Sequence, residues 1–306
     1  MSLKNILAPG VISERNAVAE TVLCVLLWGV SFAAMKISVA RVEPLLAVWL
    51  RISLGLFLII PAARYRGESR RPYRDEAVPL LVLAFFGIVF HQNIQFAGMR
   101  GAGVANSNWM IAATPAAVAV LGAIFLKERV NAAAMSGLLS AGAGVLLVMG
   151  LGTKGLGIFA AGGTGDLLIA ASVVNWAVFQ IMSRKLLRGC APAFAILWMN
   201  IFAFLMQSLA VFVFWPQDFW GLLRVPMRDW CAILFLGCVC SGLCYILWYD
   251  GLSVLTAARA SAFLFLQPVV GVAAAYFFMG ERFTPYIYAG GAMILAGVWL
   301  INNAKD

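Results

Sequence analysis

Long apolar runs, separated by short clusters of charged and turn-forming residues, follow one another from residue 17 to residue 302. A hydrocarbon core of about 30 Å takes roughly 20 apolar residues per helix, and backbone groups in lipid must be satisfied within a helix or a closed barrel. The runs therefore predict an all-α integral membrane protein. Its ten transmembrane helices are expected at 17–37, 44–63, 76–97, 104–125, 131–150, 165–186, 191–215, 229–250, 259–279 and 284–302. The connections are short and leave hardly any chain for a soluble catalytic or regulatory domain. The first run is too long, and too closely followed by others, to read as a cleaved signal peptide.

Composition agrees: of 306 residues 63% are hydrophobic and 11% charged, with a mean hydropathy of +0.93. No soluble fold keeps that much apolar surface out of water. With the N-terminus in the cytoplasm, 14 of the 22 Lys and Arg fall on inner segments, Arg64, Arg66, Arg70, Arg71 and Arg74 among them. Both termini are thus expected inside, and the net charge of +9 reads as positive-inside bias, not as nucleic-acid binding. The six cysteines show no metal-like spacing, and five lie in predicted helices, so neither disulfide nor metal is expected.

The pattern also repeats. At an offset of 148, Trp28 falls on Trp176, Lys36 on Arg184 and Pro44 on Pro192. At an offset of 153, Gly98 falls on Gly251, Pro115 on Pro268, Glu128 and Arg129 on Glu281 and Arg282, Gly137 on Gly290, and Gly144 on Gly297. The expected units are residues 1–154 and 155–306. Each holds five helices, an odd number, so the second unit starts on the opposite side of the membrane. Inverted five-helix repeats of this kind are the architecture of many secondary transporters, which bind substrate near the midplane.

The stretch from Pro115 through AAVAVLGAIFLKERV to Gly144, repeated from Pro268 through VVGVAAAYFFMGERF to Gly297, resembles the paired EamA-type repeats of the drug/metabolite transporter superfamily. The resemblance covers nearly the whole chain and is greatest to bacterial inner-membrane exporters of aromatic and other neutral amino acids. It implies a central cavity between helices 1–4 and 6–9, with helices 5 and 10 peripheral.

Several residues are candidates for that passage. Trp28 and Trp176 lie about eleven residues into their helices, too deep for an interfacial belt, and so either pack the repeats together or wall the passage; Asn175 beside Trp176 favours the passage. Helix 3 carries His91, Gln92, Asn93 and Gln95, which should face protein or water. Their repeat counterparts in helix 8 include Tyr245, Trp248 and Tyr249, which form either a facing aromatic wall or an inner aromatic belt. Asn106, Asn108 and Trp109 extend the polar group into helix 4. Pro115 and Pro268 should kink helices 4 and 9, as gating hinges or as static bends. Arg51, with no acid near it in sequence, either snorkels outward or lines water. Lys36 and Arg184 fall near opposite faces, where snorkelling accounts for them.

Other features are read as structural. Glu128 and Glu281 sit between helices and finish interfacial turns, with Asn131 and Thr284 as N-caps and Pro285 at a first helical position. Gly137, Gly144, Gly290 and Gly297 bring helices together, in one chain or across a homodimer. No catalytic residues are expected: there is one histidine, and no HExxH, GxSxG or GxxxxGK[ST] motif. No cofactor is expected either. All thirteen carboxylates lie in connections, tails or end turns, which favours facilitated export over proton exchange, with His91 the exception to weigh. Neutral amides with Trp and Tyr faces suit a bulky neutral amino acid; they also suit an amphipathic cationic drug, carried by a proton-coupled pump.

Overall fold

The computed structural model describes residues 13–125, 131–148, 163–187, 190–214, 221–255, 263–264 and 266–303. The Glu128–Arg129 pair, Trp215, Trp220 and Arg259 lie outside the described residues, as do the side chains of Arg184 and Tyr249.

The described residues are all helical apart from their connections. The helices are α1 (Glu14–Ser38), α2 (Pro44–Tyr65), α3 (Arg74–Gly101), α4 (Val104–Ala112 and Thr114–Phe125), α5 (Ala132–Val148), α6 (Gly163–Leu186), α7 (Pro192–Phe214), α8 (Met227–Val254), α9 (Leu266–Met279) and α10 (Pro285–Asn303). Six of them, α1, α2, α3, α6, α7 and α8, are long and apolar enough to cross a membrane, and α5, α9 and α10 are shorter apolar helices. Large apolar side chains such as Phe57, Phe125, Leu139, Leu209 and Phe277 point outward, as a lipid-facing surface requires.

Helix ends follow local chemistry. Ser13 caps α1 by accepting from the Asn16 amide, and Pro44 opens α2. Asn131 and Thr284 immediately precede α5 and α10, with Pro285 at the first position of α10. The interruption expected near Pro115 falls at Ala113, between the two pieces of α4. Pro115 then falls in the first turn of the second piece, and Pro268 in the first turn of α9, where a missing donor costs no intrahelical bond.

Two features lie beyond the hydrophobic pattern. Within α3, Phe85–Phe90 winds as a π-helix, and within α8, Phe235–Leu243 does the same. Shifted by the repeat offset of 153, the first segment falls inside the second.

Packing is reciprocal. Helix α1 lies against α8 and α9, while α6 lies against α3 and α4; α2 lies against α8, while α7 lies against α3. Replacing each helix by the one five places along exchanges these contacts, and the pairs α2 with α7, α4 with α9 and α5 with α10 map onto themselves. Gly165 of α6 meets Gly98 and Ala102 where α3 finishes, whereas Thr21 of α1 meets Gly251 where α8 finishes. The α5–α10 pair is close on both sides: a Cβ on Gly144 would lie 2.6 Å from the Gly290 carbonyl, and one on Gly290 would lie 2.7 Å from that of Gly144.

Candidate functional site

The aromatic candidates pair across the two halves. The Trp28 ring packs on Tyr245 at 6.0 Å and on Trp248 at 5.3 Å, joining α1 to α8. Trp176 packs on His91 at 4.9 Å and on Phe179 at 4.8 Å, joining α6 to α3. Each pairing continues into a π segment, where the wider turn offsets the backbone hydrogen-bond ladder. Trp28 Nε1 donates to the Cys240 carbonyl at 3.1 Å, and Asn175 Nδ2 donates to the Phe86 carbonyl at 2.8 Å. The lead helix of each half is thereby latched to the π segment of the other.

The amide group is buried and partly unsatisfied. His91, Gln92, Gln95, Asn108 and Trp109 are all buried. His91 Nδ1, Gln92 Oε1, Asn108 Oδ1 and Trp109 Nε1 have no hydrogen-bond partner among the described residues. Such orphans cost free energy unless a water or a solute completes them. Asn108 donates to the Val104 carbonyl and faces Gly271 of α9, whose missing side chain makes room for the amide. Trp109 lies against Gly291 of α10, apart from the two aromatic pairs. Asn93 bonds Gln207 and the Val89 carbonyl, an interhelical role.

Both ends of the site are fixed by charges. The α3–α4 junction at Ala102–Gly103 is held from two sides. Lys36 Nζ donates to the carbonyls of Met99, Arg100 and Ala102 at 2.8, 3.1 and 2.7 Å. Glu281 accepts from the Val104 and Ala105 amides at 2.7 and 3.0 Å. A cation at the end of α3 and an anion at the start of α4 match both helix dipoles. Two sequence-based expectations change accordingly: Lys36 does not snorkel to lipid or water but caps a helix, and Glu281 does more than finish its own turn. Gly280, at φ +66°, ends α9 and turns the chain so that Glu281 can reach α4.

At the other end, Arg66 makes a two-pronged pair with Asp250, both bonds 2.6 Å long. Burial pulls the Arg66 guanidinium down, but the Asp250 carboxylate outweighs it and holds the group above its ordinary range. Glu20 and Asp166, one near the start of each lead helix, are buried with Glu20 Oε2 and Asp166 Oδ1 unpartnered among the described residues.

Arg51 neither snorkels nor meets a carboxylate. It is 7% exposed, donates from Nε to Ser241 Oγ at 2.7 Å, and holds its guanidinium carbon 5.8 Å from the Phe96 ring centre. The signal in the sequence was a lone arginine inside an apolar run. Its neighbour Ser241 lies 190 positions away and could not be read from it.

This arrangement of reciprocal helices around buried amides and aromatics is that of a solute carrier. The chain belongs to the EamA-like transporter family, whose sequence pattern matches residues 17–150 and again residues 163–303. It is a multi-pass membrane protein that moves small metabolites, and it is not an enzyme. A probable amino-acid metabolite efflux pump of Salmonella typhimurium is 26% identical over 91% of this chain and 92% of its own. A probable terminal-alkyne amino-acid exporter of Streptantibioticus cattleyicolor is 27% identical over 94% of both. An uncharacterized transporter of Archaeoglobus fulgidus is 25% identical over 91% of this chain and 94% of its own. One crystal structure superposes with a TM-score of 0.67 over 94% of this chain and 96% of its own, at 21% identity, a likeness of fold alone.

Proposed function

We propose that the protein is a ten-span carrier built from two inverted five-helix units, residues 1–154 and 155–306. It exports small neutral metabolites, chiefly aromatic and other bulky neutral amino acids. It works in a bacterial cytoplasmic membrane with both termini inside, as a monomer or homodimer. The reciprocal latches carry this reading: Trp28 on the α8 π segment and Asn175 on the α3 π segment tie each unit's lead helix to the other unit. A device of that form suits alternating access, because the units can exchange roles around one site. The exporters named above, with amino acids in their descriptions, support the cargo class.

The passage is walled by Trp28, Tyr245 and Trp248 on one side and by His91, Gln92, Gln95, Asn175 and Trp176 on the other, with Asn106 and Asn108 towards the α4 end. Pro115 lies at the interruption of α4, and Pro268 in the first turn of α9. Transport is facilitative, since the buried carboxylates Glu20 and Asp166 stand near helix ends.

Counterflow of labelled phenylalanine in proteoliposomes, with and without a pH gradient, tests the reading. Saturable exchange indifferent to the gradient is expected, and Ala at both Trp28 and Trp176 should change rate or substrate preference. Flux of an amphipathic cation that follows the gradient, with no amino acid exchange, would refute it.

A further inference from the structure

Arg51 is a charge without a counter-ion. Its side chain lies inside the bundle, and among the described residues it forms no ion pair. Its one hydrogen bond uses Nε, so the Nη1 and Nη2 donors have no protein acceptor there. A charge inside the bundle with no counter-ion is rare, and an ionisable side chain inside a membrane segment marks a functional site.

The position lies between the two halves. Ser241 belongs to the π segment of α8, Phe96 to α3, and His91, Cys240 and Tyr245 all lie within reach of the Arg51 charge. Tyr245 packs on Trp28 and His91 on Trp176, so the charge acts on one member of each aromatic pair. The repeat does not duplicate it: seven residues after Pro44 stands Arg51, and seven after Pro192 stands Met199. One site between two halves thus has one cation, which gives the solute a single orientation.

We propose that Arg51 is the receptor for the solute's carboxylate. The Nη edge of a guanidinium matches a carboxylate with two parallel N–H···O bonds, a fit that an ammonium side chain cannot reproduce. A bound carboxylate supplies the missing counter-charge, and the aromatic pairs beside it receive the apolar end. The carrier therefore selects carboxylate-bearing solutes and repels organic cations of the same shape. This rests on the amino acid reading above and narrows it, since the carboxylate becomes a requirement for binding.

Four related probes separate the two claims: phenylalanine, phenylalaninamide, phenethylamine and 3-phenylpropionate, titrated into purified protein by intrinsic fluorescence and used as competitors in counterflow. Wild type should bind phenylalanine and 3-phenylpropionate and bind the amide and the amine at least about tenfold more weakly, the loss expected for hydrogen bonds to a charged group. Arg51→Gln should lose about the same factor for phenylalanine and no longer distinguish it from its amide, while Arg51→Lys retains the preference in part. Elution and melting temperature matching wild type establish that Arg51→Gln is folded. Should that variant fail to fold, the probe series on wild type alone decides. Binding of 3-phenylpropionate without phenylalanine would overturn the amino acid reading and leave the carboxylate site standing. Equal binding of phenylalanine and its amide, preference for phenethylamine, unaltered binding by folded Arg51→Gln, or binding of none of the four would each overturn the proposal.

Discussion

Glu281 offers a direct test of how the site is held. Its carboxylate takes the Val104 and Ala105 amides at 2.7 and 3.0 Å, the first two donors of α4, which have no partner within their own helix. Hydrogen bonds to charged groups contribute about 1.5–3 kcal/mol each, so two give a ceiling of roughly 3–6 kcal/mol. Glu281 is partly exposed, and water can replace some of what the carboxylate provides. Glu281→Ala should therefore destabilise by about 2 kcal/mol, and Glu281→Gln, which keeps one acceptor oxygen and loses the charge, by about 1 kcal/mol. At roughly 2–4 °C per kcal/mol, the Ala variant should melt about 4–8 °C below wild type. The assay is thermal unfolding in detergent beside counterflow kinetics. Because α4 carries Asn106, Asn108 and Trp109, loosening its start should raise KM more than it lowers kcat. An Ala variant that melts with wild type and keeps its KM would refute the capping role.

Two further outcomes follow from the latches and the close helix pair. Trp28→Phe keeps a ring against Tyr245 and Trp248 but removes the donor to the Cys240 carbonyl, so the melting temperature should fall by the equivalent of about 1 kcal/mol while the transport rate changes several-fold. A rate equal to wild type would show the latch to be idle. Gly144→Leu places a side chain where a Cβ alone would sit 2.6 Å from the Gly290 carbonyl, and should destabilise by about 3 kcal/mol through forced separation of α5 and α10, read by thermal unfolding.

Much of this was legible along the chain. Apolar run lengths located the helices, and the matched landmarks placed Trp28 and Trp176 at comparable depths in lead helices that occupy comparable surroundings. The helix breaks before Ala132 and Pro285 were readable from Asn131 and Thr284. Three things were not. A π segment keeps the composition of the α-helix around it, so neither Phe85–Phe90 nor Phe235–Leu243 announced itself. The partners of Lys36, Glu281 and Arg51 lie 63 to 190 positions away, and a lone charge in a sequence does not say what it will meet. Trp109 shares the polar stretch of α4 with Asn108, yet it turns to Gly291, because which face a residue occupies depends on how helices cross.

The unequal latches have a consequence for timing. On the alternating-access mechanism proposed above, two inverted units identical in sequence would make the inward-open and outward-open forms images of each other and equally populated, and the carrier would have no resting side. The chain departs from that balance where an indole packed against two aromatic rings grips Cys240 while a small amide grips Phe86. Any difference between those grips is a difference in standing population, tenfold for each 1.4 kcal/mol or so. Waiting direction, and with it the side on which an unloaded carrier presents its site, is then written in a few asymmetric side chains rather than in the fold.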